Sequence, residues 1–263
     1  MEYRGYKFLR QLVAEIPWGQ NILIFSKIKD VKAREYYIKA TIKMAWSRKV
    51  LLNQIKSETY ERHFLNSKQH NFKTVLPIHL AEQADESMKS IYNLDFLGIT
   101  EPVLERELEQ MLIRRIKEFV LELGYGFSFI GSQYKLDLND NEYFIDLLFY
   151  NRLLKSLVAI ELKTGKFKLE YASKMDFYLS LIDEQVRLEG ENSSIGIILC
   201  ADKDNIEVEY ALKNTKNAVD VAEYQLIKKL PKKLKDKLPD PAELKAQIKK
   251  EINHLDICKI IRF

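Results

Sequence analysis

Apolar residues in the first part of the chain recur at a spacing of three to four positions. This spacing places them on one face of a helix and therefore predicts helical structure. Asp30 stands where a helix through Lys43 needs an N-cap, and Ser47 stands where a second helix needs one. The polar segment 63–80 lacks this spacing and predicts a loop. We therefore predict an all-α N-terminal domain over residues 1–98.

After this domain, helical spacing alternates with apolar strands. A single apolar stripe predicts a helix that ends at Gly124, and the stripe consists of Leu104, Leu108, Leu112, Phe119 and Leu123. Strands are predicted at 127–138, 143–150, 157–163 and 195–200, with helices from residue 170 and over 204–216. The order α-β-β-β-α-β-α predicts an α/β fold, a mixed sheet flanked by helices. We assign residues 99–240 to this domain and 241–263 to a charged C-terminal helix.

The composition excludes several classes of protein. No stretch reaches the roughly 18 apolar residues of a membrane-spanning helix, and the first residues lack the apolar core of a signal peptide. With two cysteines and four scattered histidines, we expect neither a disulfide scaffold nor a zinc site, and we favour a cytoplasmic location. Nine glycines without a glycine-rich phosphate loop argue against P-loop and dinucleotide-binding proteins.

Charge is distributed unevenly along the 263 residues, although the net charge is only +4. Residues 1–100 carry 16 basic and 10 acidic side chains, and residues 231–263 carry 9 basic and 5 acidic ones. Residues 101–230 between them carry 17 basic and 23 acidic side chains, so an acidic middle part lies between basic flanks. Six of the basic side chains are lysines between Leu226 and Leu238. A solvated surface segment and a contact with phosphate groups both explain this basic run, so both interpretations stay open.

Three charged residues interrupt strands that are otherwise apolar. Asp146 lies in the middle of the second predicted strand, and Glu161 and Lys163 lie at the end of the third. If the turn is centred between Leu153 and Leu154, Asp146 and Glu161 are directly opposite each other, with Cβ atoms roughly 5 Å apart. Buried charges require a partner, and Mg²⁺ takes carboxylate and phosphate oxygens as ligands. The alternative is a buried salt bridge of Lys163 with both acids.

These residues and the order of the elements resemble the PD-(D/E)XK nuclease superfamily. Within it, the chain resembles the bacterial YhcG-like family in both predicted domains. The N-terminal motifs are IPWGQN at 16–21, WSRKVL at 46–51 and YNLDFL at 92–97, and the others are LELGYGFSFIG at 121–131, FIDLLFY at 144–150, IELK at 160–163 and KMDFYLS at 174–180. The resemblance covers about residues 11–240 and implies a restriction-endonuclease-like αβββαβ core. Family members usually carry a further helical segment before this match, so we expect a shortened chain.

The resemblance also implies a metal-dependent nuclease site. Asp146 and Glu161 are expected to hold Mg²⁺ or Mn²⁺, and Lys163 is expected to be the catalytic lysine. Glu109, on the helix before the first strand, is our choice for a third metal ligand and catalytic carboxylate. Glu105, one turn earlier, is the alternative, and a solvated helix carboxylate is the structural interpretation of Glu109.

Further residues near this hairpin complete the expected site. Lys174 and Tyr178 have the four-residue spacing of a catalytic pair in related nucleases, although a lysine replaces the more common glutamine. Gln133, on the first strand, is expected either to touch substrate or to serve as a structural amide. Lys166 and Lys168 follow the Glu-x-Lys motif and are expected to hold the DNA backbone.

These predictions describe a metal-dependent nuclease that hydrolyses phosphodiester bonds, with DNA as the favoured substrate and RNA left open. The acidic central part of the chain would repel a polyanion, so the basic flanks are expected to supply the electrostatic contact. The helical N-terminal domain would recognise DNA or a partner protein, and a homodimer is expected if both strands are cut. The rival hypothesis is a catalytically weak or inactive nuclease-fold module that binds nucleic acid or acts in a larger assembly.

Overall fold

The two N-caps predicted in the N-terminal domain are both present. The side chain of Asp30 accepts a hydrogen bond from the backbone N–H of Ala33, and Ser47 accepts one from Val50. Each cap satisfies an N–H group that has no partner inside its own helix. The helices in this part of the chain are α1 (Trp18–Lys27), α2 (Val31–Met44), α3 (Arg48–Lys56), α4 (Thr59–Phe64), α5 (Phe72–Val75) and α6 (Ile78–Ser87).

The structure is a computed structural model that describes residues 14–64 and 68–226. The predicted basic run after Leu226 and the predicted helix at 241–263 lie outside these residues. Within them, no helix is both long enough and apolar enough to cross a membrane.

The remaining elements follow the predicted order α-β-β-β-α-β-α, which confirms the fold class. They are α7 (Glu105–Arg114), α8 (Ile116–Leu123), β3 (Phe127–Leu138), β4 (Asn141–Asn151), β5 (Ser156–Lys166), α9 (Leu169–Gln185), β6 (Ile195–Asp202) and α10 (Asn205–Leu212). The single helix predicted before Gly124 is wrong, because the chain leaves helical geometry at Arg115 and forms two helices. Leu104 is exposed rather than part of the buried stripe, because α7 begins only after it.

Three strands were not anticipated, namely β1 (Gln69–His70), β2 (Ile91–Asn93) and β7 (Ala218–Gln225). The predicted loop at 63–80 is therefore wrong in part, because it contains β1, α5 and the start of α6. Elements of two to four residues are too short to give a periodic pattern. The strand order is β1-β7-β6-β5-β4-β3, and β2 also pairs with β7. The sheet thus includes strands from both sides of the predicted domain boundary at 98–99, which itself stays a prediction.

The sheet is mixed and has an apolar core on each face. Strands β3, β4 and β5 are antiparallel, whereas β5, β6 and β7 are parallel. Helices α5 to α8 cover one face, and α9 and α10 cover the other. Gly196 on β6 allows α9 to pack closely, since an added Cβ would lie 2.5 Å from Cγ of Met175. This close packing fixes α9 beside the charged end of β5.

Candidate active site

The β4–β5 hairpin has the register predicted from its turn. Leu147 pairs with Ile160, which is the pairing required by a turn centred between residues 153 and 154. Asp146 and Glu161 are the next residues along the two strands. Oδ2 of Asp146 accepts a 2.8 Å hydrogen bond from the backbone N–H of Leu162. The two carboxylates therefore lie at the same level of the sheet, where the ladder between β4 and β5 ends.

Glu161 is the most deeply buried carboxylate of this site, with 2% of its surface exposed. Its Oε2 lies 3.0 Å from Nζ of Lys174 and 3.6 Å from Nζ of Lys163. Its Oε1 is buried and has no hydrogen-bond partner in the described part of the chain. Burial and the nearby charge of Asp146 together raise the pKa of Glu161, despite the two ammonium groups. An unpaired buried carboxylate oxygen is costly and marks a place where a cation can bind.

Lys163 is also buried, and its ammonium group is held from three sides. Nζ lies 3.0 Å from Oε2 of Glu105, donates a 2.9 Å hydrogen bond to the carbonyl of Leu162 and lies 5.3 Å from the ring centre of Tyr171. Burial alone would lower the pKa of Lys163. The hydrogen bond to Glu105 and the charge of Glu161 outweigh this effect and raise the pKa. Lys163 therefore keeps its proton and presents a fixed positive charge.

Gln133 joins two carboxylates of the site. Its Nε2 donates a 2.8 Å hydrogen bond to Oε2 of Glu109 and a 3.4 Å hydrogen bond to Oδ1 of Asp146. Burial and the charge of Asp146 raise the pKa of Glu109. The backbone of Gln133 has a φ of 46°, a conformation that costs a side-chain-bearing residue about 1–3 kcal/mol. Gln133 thus bridges two carboxylates of the site, and its predicted contact with substrate stays a prediction.

Helix α9 presents three residues to the charged end of β5. Tyr171, Lys174 and Tyr178 follow each other at helical spacing and share one face of the helix. Lys174 lies 4.9 Å from the ring centre of Tyr178, which fits the predicted pair. Burial lowers the pKa of Lys174, but the charge of Glu161 outweighs burial and raises it. Tyr171 was not predicted, although its three-residue offset from Lys174 could have indicated it.

The two lysines after the Glu-x-Lys motif are exposed and pair with other acids. Lys166 lies 3.1 Å from Glu207, and Lys168 lies 3.8 Å from Glu170 and 5.9 Å from the ring centre of Tyr171. Their predicted contact with a nucleic-acid backbone stays a prediction.

The chemistry of the carboxylates fits a hard divalent cation. Asp146, Glu161 and Glu109 offer oxygen atoms only, which are the ligands that Mg²⁺ and Mn²⁺ prefer. The unpaired Oε1 of Glu161 supplies one free ligand atom. In the described residues, no three histidine, cysteine or acidic side chains are arranged closely enough to hold a metal ion as they stand. The Gln133 amide bonds both Glu109 and Asp146, so it is placed to orient these two carboxylates.

Comparison with known families identifies the second half of the chain. Residues 85–239 match the family described as YhcG PDDEXK nuclease domain. The chain belongs to this family. Residues 1–62 match the family described as DUF1016 N-terminal domain. The YhcG-like resemblance inferred from the sequence motifs is therefore confirmed.

A curated relative and several solved structures resemble parts of the chain. It is 35% identical over 203 residues to "Putative nuclease YhcG" of Escherichia coli (strain K12). This match covers 76% of the chain but 53% of the relative, so the chain spans about half the length of that protein. A repair endonuclease from Pyrococcus abyssi is 19% identical with a TM-score of 0.33, covering 49% of each chain. EndoMS in complex with dsDNA is 13% identical with a TM-score of 0.35, covering 50% of each chain. TM-scores this low carry no weight for function.

Proposed function

We propose that this protein is a divalent-metal-dependent nuclease that hydrolyses phosphodiester bonds in DNA. Asp146 and Glu161 would hold the metal, and Lys163 would be the catalytic lysine. The observation that carries the proposal is the buried Glu161 carboxylate, which has one unpaired oxygen, Oε1, and lies beside Asp146 and the Lys163 ammonium group. Membership in a nuclease family supports the reaction class. Metal dependence, Mg²⁺ or Mn²⁺ as the metal, and DNA as the substrate are parts of the proposal.

Each residue of the cluster has a distinct role in this mechanism. Asp146 and Glu161 would bind Mg²⁺ or Mn²⁺, with Glu109 as a third ligand that Gln133 orients. Such a cation, when bound, neutralises charge on the phosphoryl group and lowers the pKa of water. Lys163 keeps its proton, so its ammonium group acts by stabilising negative charge that develops on the phosphate. Glu105 and Tyr171 hold that ammonium group in place.

Cleavage assays test this proposal directly. Supercoiled plasmid, linear duplex and single-stranded DNA, with RNA of the same sequence, are incubated with Mg²⁺, Mn²⁺ or EDTA. We expect cleavage only with a metal, and a loss of about 100- to 1,000-fold in Lys163→Met because one stabilising charge is removed. Lys117→Met, at an exposed position on α8, is the matched control and should cleave normally. Unchanged cleavage in EDTA or in Lys163→Met would contradict the proposal.

One observation favours the rival binding module. Lys174 places a second ammonium group 3.0 Å from Glu161, where related nucleases more often have a neutral glutamine. This positive charge competes with a metal for the same carboxylate. If no substrate is cut while DNA is still retained in a filter-binding assay, the protein is a nuclease-fold binding module rather than an enzyme.

Gln133 provides a separate test of the metal site. We expect Gln133→Ala to weaken Mn²⁺ binding about 10- to 100-fold, because Glu109 and Asp146 lose the amide that orients them. The measurement is the rise of the thermal midpoint with added Mn²⁺, which follows RT ln(1 + [L]/Kd). Gln185→Ala, at an exposed amide that bonds only the carbonyl of Asp137 in the described structure, is the control. An equal Mn²⁺ response in both variants would show that Gln133 does not orient the ligands.

Other sequence predictions stay predictions. They are recognition of DNA or a partner protein by residues 1–98, a homodimer that cuts both strands, contact of Lys166 and Lys168 with the DNA backbone, and a cytoplasmic location.

A further inference from the structure

A cavity of about 840 Å³ lies away from the carboxylate cluster. It is formed by α2, α4, the end of α6 and the segment between α8 and β3, and the residues that matter for its chemistry are Lys32, Tyr36, Lys39, Lys43, Tyr60 and Tyr125. Its volume falls within the range of about 300–1,000 Å³ that is typical of small-ligand sites. The cavity is therefore large enough for one nucleotide.

The rim of the cavity is basic on the side of α2. Lys32, Lys39 and Lys43 lie on the face of α2 that lines the cavity, and all three are exposed. Glu35 and Glu86 also line it, and Glu35 lies 2.6 Å from Lys39. The charge of Lys39 is thus neutralised in part by Glu35. Lys32 lies near the start of α2 and Lys43 near its end, and both line the cavity. A phosphate group placed at this rim would meet net positive charge.

The cavity also offers aromatic surface. The ring centres of Tyr36 and Tyr60 are 5.7 Å apart. The ring of Tyr125 lies 5.4 Å from Nζ of Lys43 and 5.5 Å from Cζ of Arg152. Aromatic rings for a base and cations for its phosphate are the combination with which proteins bind unpaired nucleotides.

We propose that this cavity binds a nucleoside monophosphate unit, with its phosphate at Lys32 or Lys43 and its base against the tyrosine rings. Such a unit has two sources, a free nucleotide or an unpaired nucleotide at the end of a DNA strand. The proposal concerns binding in the cavity and not cleavage. Binding is measured with divalent metals chelated, so the test does not require nuclease activity. Failure of the nuclease proposal and failure of this one are therefore distinguishable.

Binding of fluorescein-labelled duplexes in EDTA tests the proposal. One duplex is blunt and the other has an eight-nucleotide single-stranded tail, and both have the same double-stranded part. We expect the tailed duplex to bind at least tenfold more tightly, and we expect Lys32→Glu/Lys43→Glu to remove this preference. Lys27→Glu/Lys49→Glu makes the same charge change at exposed lysines of α1 and α3 and should keep the preference.

The outcomes separate the two sources and the failure of the proposal. If free dAMP displaces the tailed duplex, the cavity takes free nucleotides. If dAMP does not displace it but Lys32→Glu/Lys43→Glu removes the preference for the tailed duplex, the cavity takes a nucleotide within a strand. A tail that carries 5-bromodeoxyuridine should photocrosslink to a peptide that contains Tyr36, Tyr60 or Tyr125. Equal binding of blunt and tailed duplexes without dAMP binding, or equal effects of the two double variants, would overturn the proposal.

Discussion

Glutamine in place of Glu161 is expected to lower metal-dependent cleavage about 100- to 1,000-fold without unfolding the protein. The carboxylate has an unpaired Oε1 and lies beside Asp146, so it is the group best placed to hold a divalent cation. A neutral amide of the same shape removes this ligand charge. It also removes the repulsion between two carboxylates, which together with burial raises the pKa of Glu161. Without metal, the variant should therefore melt at the same temperature as the unchanged protein or higher.

Thermal denaturation with and without Mn²⁺, alongside cleavage of supercoiled plasmid, measures both effects. The unchanged protein should gain thermal stability from Mn²⁺, and Glu161→Gln should not. Glu170→Gln, an exposed carboxylate on α9, is the control and should keep both cleavage and the metal response. Full cleavage by a correctly folded Glu161→Gln protein would remove Glu161 from the proposed mechanism.

The sequence predicted the centre of this site because strands and hairpins obey simple rules. Side chains alternate with a period of two, and one turn position determines every pair in the hairpin. Asp146, Glu161 and Lys163 could therefore be placed together from their numbers alone. Helix α7 has no such constraint, since its rotation against the sheet depends on packing. Glu109 and Glu105 could not be distinguished by sequence, and they contact different partners, Gln133 and Lys163.

The same reasoning missed a comparable buried charge in β7. Asp220 lies between apolar residues of this strand and has 1% of its surface exposed. Neither of its carboxylate oxygens has a hydrogen-bond partner in the described residues, and burial raises its pKa to about 6. Its segment was not predicted as a strand. Strand β7 pairs with β1 and β2, which lie more than 120 residues earlier in the chain, and the sequence does not show this pairing. Long-range pairing of short strands leaves no local pattern.

A second charged cluster, which no sequence motif indicated, joins the helical N-terminal part to the nuclease domain. Glu122 on α8 forms ion pairs with Arg62 of α4 and with Lys89, which follows α6. One oxygen of Glu122 also accepts a 2.9 Å hydrogen bond from the backbone N–H of Asn93. Although burial raises the pKa of Glu122, the charges of Lys89 and Arg62 outweigh it and lower the pKa. Glu122 is therefore ionised and is the shared counter-ion of two buried cations, Arg62 and Lys89.

We expect Glu122→Gln to lower the free energy of unfolding by about 3–5 kcal/mol, because Arg62 and Lys89 would remain buried without their anion. Glu118→Gln, one turn earlier on α8, breaks only the exposed 3.0 Å pair with Arg115 and should cost less than about 1 kcal/mol. Urea denaturation of both variants measures the difference. Because the folded-state pKa of Glu122 lies below its unfolded value, its stabilisation is complete at neutral pH and disappears as pH falls through the folded pKa. The gap between unchanged protein and Glu122→Gln should therefore shrink in acid, and equal losses in both variants would show that this cluster does not stabilise the fold.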